Sequence, residues 1–82
     1  MEKNGIIQDI DAGLKDVYSG NGESFTIGGV EFNRFGLRFA GNEHDIHNVC
    51  GHEVTQHGQN IEVCIHTTRT DVLVIIPMAY IQ

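Results

Sequence analysis

The spacing of apolar residues changes once along this 82-residue chain, near Gly20, and that change limits the folds open to it. Before it, in NGIIQDIDAGLKDVYSG, Ile6, Ile7, Ile10, Leu14, Val17 and Tyr18 recur every three or four residues. Asp9, Asp11, Lys15 and Asp16 lie mostly off that stripe, so the segment reads as an amphipathic helix with one face for a core. Asn4 is placed to cap its start and Gly20 to stop it. Gly13 lowers the intrinsic helicity by about 1 kcal/mol relative to alanine, which makes the helix dependent on packing.

After Gly20 the period is two. SFTI and VEFN flank Gly28-Gly29, and adjacent glycines supply the positive backbone dihedrals of a two-residue hairpin turn. In FGLRFAG, Leu37 and Phe39 alternate with Arg38 until Gly41 and Asn42 break the pattern, and NEHDIHN reads as a loop. VCGHEVT and IEVCIHTT are strands separated by the turn chemistry of QHGQN. In the last run, DVLVIIPMAYIQ, residues Val72 to Ile76 are unbroken apolar and read as a strand buried on both faces, with pairing that weakens at Pro77.

A helix followed by a run of strands predicts an α+β fold: an N-terminal amphipathic helix packed on an antiparallel sheet of about five strands, with the last strand internal. Residues 1–82 form one domain, without repeat or linker. The expected core holds Ile6, Ile10, Leu14, Val17, Ile61, Val63, Ile65, Leu73 and Ile75. One helix covers one face of a sheet, so a second layer must come from a curled sheet or from a partner subunit. A homo-oligomer is the preferred answer, because so short a chain buries a small fraction of its surface and gains stability from association.

Five basic against eleven acidic residues give a formal charge of −6, which repels phosphate backbones and anionic lipids. Direct nucleic-acid binding is therefore not expected. The acids are scattered rather than massed, which fits solubility better than mimicry of a nucleic acid. Phe25, Phe32, Phe35 and Phe39 with Arg34 and Arg38 have the makings of a base-stacking strand surface, but the same alternation serves one core face and one solvated face. SGNGES lacks the lysine and the following helix of a phosphate loop. The start of the sequence has no basic stretch followed by an apolar run, and no apolar segment approaches the roughly 20 residues of a membrane helix, so the expectation is a cytoplasmic protein without membrane contact. Its cysteines then stay reduced.

All five histidines and both cysteines fall between residues 44 and 66. On strands, Cys50 and His52 share a face, as do Cys64 and His66. With an odd hairpin loop such as His57-Gly58-Gln59, His52 lies opposite Cys64 and Cys50 opposite His66, and the four converge as a zinc set of two thiolates and two imidazoles. With an even loop the pairs fall on opposite faces. His44 and His47, with Glu43 or Asp45, offer a second grouping on a loop. The leading expectation is a small, acidic, non-enzymatic binding or interaction module whose partner is another protein or itself, as a homodimer. Its rivals are a zinc-binding structural or sensory protein using Cys50, His52, Cys64 and His66, and a small thiol enzyme with a cysteine nucleophile and a histidine base.

Overall fold

A computed structural model describes residues 3–81. The helix α1 spans Lys3–Ser19, with Asn4 inside it rather than capping it. Seven strands follow: β1 Ser24–Ile27, β2 Val30–Asn33, β3 Gly36–Phe39, β4 Asn42–Asp45, β5 Val49–His57, β6 Asn60–Thr67 and β7 Asp71–Pro77, closed by a 3-10 turn at Met78–Tyr80. The fold is α+β, as the change of period implies. Among the described residues the strands number seven rather than about five, and they form two antiparallel sheets, in the orders β1-β2-β3-β4 and β5-β6-β7. Among the described residues no helix is long and apolar enough to cross a membrane.

The first sheet is a meander of four-residue strands joined by two-residue turns. Gly28 and Gly29, at φ 59° and 82°, make the expected turn between Ile27 and Val30. Ala40 and Gly41, at 53° and 80°, repeat that geometry between Phe39 and Asn42. Between β2 and β3 the Phe35 N–H donates to Asn33 Oδ1 at 2.9 Å. The strand β4, Asn-Glu-His-Asp, is exposed at every position, so it carries no apolar alternation and reads as loop in the sequence. Its pairing with β3 and the ion pair of Arg38 with Glu43 hold it.

One buried cluster unites the helix and both sheets: Ile6, Ile10 and Leu14 from α1, Val30, Phe32 and Leu37 from the first sheet, and Ile61, Val63, Ile65 and Ile76 from the second. Burying a side chain of this size stabilises the fold by about 1.5–3 kcal/mol relative to leaving it in water. Seven of the nine expected core residues, Ile6, Ile10, Leu14, Val17, Ile61, Val63 and Ile65, are buried. The layer that one helix cannot provide is supplied by the chain's own second sheet.

The last strand is a correction. β7 lies at the edge of its sheet, and β6 is the internal strand. Along β7 burial alternates, with Ile76 buried while Leu73 and Ile75 are 57% and 54% exposed. A run with apolar residues on both faces looks the same in sequence whether its second face is covered or open, which is why Leu73 and Ile75 fail as core residues.

The helix packs against β5, β1 and β2, and the sheets share no backbone hydrogen bond among the described residues. The connector between them is tied once to each side. Ile46 N–H donates to Phe35 O at 2.9 Å, and Asn48 O accepts from Thr68 N–H at 3.3 Å.

Candidate functional site

The β5–β6 hairpin decides which cysteines and histidines can meet. His57 pairs with Asn60, so the loop is the two residues Gly58-Gln59, with Gly58 at φ 59°. Glycine at the first central position is the requirement of a type II′ turn. The loop is therefore even. Glu53 stands opposite Cys64, and His52 opposite Ile65. His52 thus points with Val54 and Ile65 toward the helix, where its Nε2 lies 2.8 Å from Asp11 Oδ1. Cys50 sits in a bulge, where the register shifts between Val49 and Gly51, and its Sγ donates to the His66 carbonyl at 3.4 Å.

Of the four residues Cys50, His52, Cys64 and His66, the structure brings Cys64 and His66 side chains together on the outer face of the second sheet, and it separates them from His52. Asp71 and Glu53 join that pair instead. Cys64 Sγ is 3.9 Å from His66 Nδ1, and Asp71 Oδ1 is 2.8 Å from the same nitrogen. Ligand atoms of Cys64, His66 and Asp71 all lie within 4.8 Å of one another. On the far side of the ring, Glu53 Oε1 is 3.6 Å from His66 Nε2.

The β6–β7 turn pre-sets this grouping. Thr67 Oγ1 donates to Thr70 O at 2.7 Å and accepts from the N–H groups of Arg69 and Thr70 at 3.2 and 3.0 Å. The turn holds His66 opposite Asp71 in the register. Glu53 and Asp71 escape sequence reasoning because neither is near Cys64 in the chain. The glycine-first pair Gly58-Gln59 is the signal that would have given the even loop, and with it Glu53 opposite Cys64.

Charge shapes the chemistry of the cluster. Partial burial, then Asp71, then Glu53 push the Cys64 thiol above its ordinary pKa. The His66 imidazole is also raised, chiefly by its hydrogen bond to Asp71. This is not the arrangement of an activated thiolate. A nucleophile–base–orienter relay needs the thiol and the carboxylate on different ring nitrogens. Here Asp71 takes Nδ1 at 2.8 Å and leaves Cys64 at 3.9 Å from the same nitrogen, while Glu53, at 3.6 Å from Nε2, stands beyond hydrogen-bond distance.

A second feature lies along β7. Thr67 N–H donates to Thr70 O at 2.9 Å, and Met78 N–H to Gln59 O at 2.7 Å. With the register between, these bonds fix the alternation of the ladder: Val72, Val74 and Ile76 bond to β6. The backbone groups of Asp71, Leu73, Ile75 and Pro77 therefore turn to the open edge. Beside that edge runs an apolar cleft of about 490 Å³ between the sheets, whose opposite wall includes Leu37, Phe39 and Ile46. Phe39 is itself 49% exposed. No family model, no curated protein and no solved structure matches this chain.

Proposed function

We propose that the chain is a non-enzymatic interaction module that pairs edge to edge with a second copy of itself through β7. The observation that carries this reading is the open edge of β7, with exposed Leu73 and Ile75 on its outer face. Natural edge strands are usually guarded by lysine, a bulge or an inward-pointing charge. From Val72 to Ile76 this one has none of these.

Self-complementarity argues for a second copy. In an antiparallel pair centred on Val74, Leu73 of each copy meets Ile75 of the other, and the two exchange backbone hydrogen bonds. Asp71 N–H then reaches the Pro77 carbonyl of the second copy. Pro77 has no N–H to offer, and in this register it acts only as an acceptor. On both faces apolar residues meet apolar residues, Val72 opposite Ile76 and Val74 opposite itself, and the added strand would narrow the cleft beside Phe39. The raised Cys64 thiol and the shared ring nitrogen of His66 favour this reading over a thiol enzyme.

Sedimentation equilibrium over a concentration series tests it. The expected result is a dimer for the unaltered chain and a monomer for Ile75→Lys, whose altered side chain stands on an exposed position and leaves the circular dichroism unchanged. A second readout is amide hydrogen exchange: Leu73 and Ile75 should become protected as concentration rises. A chain that stays monomeric throughout, or an Ile75→Lys variant that dimerises as well as the parent, defeats the proposal.

A further inference from the structure

The outer-face cluster points to a second property, independent of edge pairing. We propose that Cys64, His66 and Asp71 form a binding site for a divalent transition metal of the zinc class, with Glu53 orienting the imidazole. The donor types fit: thiolate, imidazole and carboxylate are together the ligands of zinc, and three protein ligands leave one position for water.

The distances fit as well. A tetrahedral zinc ion with sulfur at about 2.3 Å and nitrogen or oxygen at about 2.0–2.1 Å separates its donors by about 3.3–3.6 Å. Cys64 Sγ and His66 Nδ1 stand slightly wider, at 3.9 Å, and His66 Nδ1 and Asp71 Oδ1 slightly closer, at 2.8 Å. The third pair, Cys64 and Asp71, lies within 4.8 Å, so a tetrahedral set takes side-chain shifts on the order of 1 Å on a framework that the Thr67–Thr70 bonds already hold.

The second carboxylate is the more telling feature. With the metal on Nδ1, the proton of His66 must reside on Nε2, the nitrogen that faces Glu53 at 3.6 Å. At that distance the exposed Glu53 carboxylate accepts no hydrogen bond in the metal-free chain. A small side-chain movement on metal binding would let it receive the distal N–H, and a carboxylate so placed fixes the tautomer and ring orientation of a ligating histidine and raises its basicity. Two carboxylates gathered round one imidazole carry more negative charge than that imidazole can offset. A divalent cation compensates the excess and allows Cys64 to bind as thiolate.

Titration of the reduced, chelator-stripped chain with cobalt(II) and then zinc tests the site. One cobalt per chain should bind with a thiolate-to-metal absorption band, and zinc should displace it. The band should vanish in Cys64→Ser and persist in Cys50→Ser. Glu53→Gln should keep the band and weaken binding by about 10–100-fold. On the unaltered chain, zinc should move the ring signals of His66 in the NMR spectrum and leave those of His52 in place. Absence of a thiolate band, its survival in Cys64→Ser, or zinc shifts centred on His52 would overturn the assignment.

Discussion

Tyr18 joins the end of α1 to the first sheet, its hydroxyl donating to the Gly36 carbonyl at 3.3 Å. Partial burial pushes its phenol up to about 12. The folded protein therefore prefers the neutral ring, and its contribution is whole below the unfolded value of about 10 and is lost as pH rises from there through about 12. Stability measured by urea unfolding should fall across that window, and ultraviolet titration should show a tyrosine step near 12 that Tyr18→Phe removes. The same substitution should cost about 0.5–1.5 kcal/mol at neutral pH, the net worth of one hydrogen bond. Gly13 shows how far one residue can be read in advance. Its cost to the helix is plain from the sequence, but its purpose is not: a Cβ there would overlap the ring of Phe25, which packs on the helix at that point. Only a contact between distant residues explains the glycine, and no local pattern contains it.

Among the elements, those with a clear period are legible and those without one are not. The helix stripe and the Gly28-Gly29 hairpin follow from spacing and backbone dihedrals alone. β4 has no apolar face to announce it, and the continuous run of β7 conceals which of its faces is covered. The candidate site was half legible for a related reason. Cys64 and His66 are two residues apart on one strand and must share a face, whereas their relation to β5 turned on a single residue of loop length. The β6–β7 turn, too, owes its shape to one side chain. Thr67→Val keeps the size of the residue but leaves the Arg69 and Thr70 amides without their acceptor. The variant should lose about 1 kcal/mol of stability in urea unfolding, and the Thr70 amide should exchange with solvent faster than in the parent.

At the scale of the whole molecule, every strand pairs only with its neighbours in sequence, and the two sheets meet through side chains rather than through a shared ladder. Such local pairing favours rapid folding, because little chain entropy is lost before contacts form. It also means that the connector, tied to one side at Ile46 and to the other at Asn48, is a seam. A chain severed at His47 would break no backbone hydrogen bond found between the helix with the first sheet, in residues 1–47, and the three-stranded sheet, in residues 48–82, among the described residues. The halves would lack each other's apolar faces and the contact between His52 and Asp11. Mixed in solution, they should find one another and restore the near-ultraviolet dichroism of the intact protein, while each alone stays loosely packed. Fused to the two parts of a divided reporter, they would make a complementation pair cut from one domain.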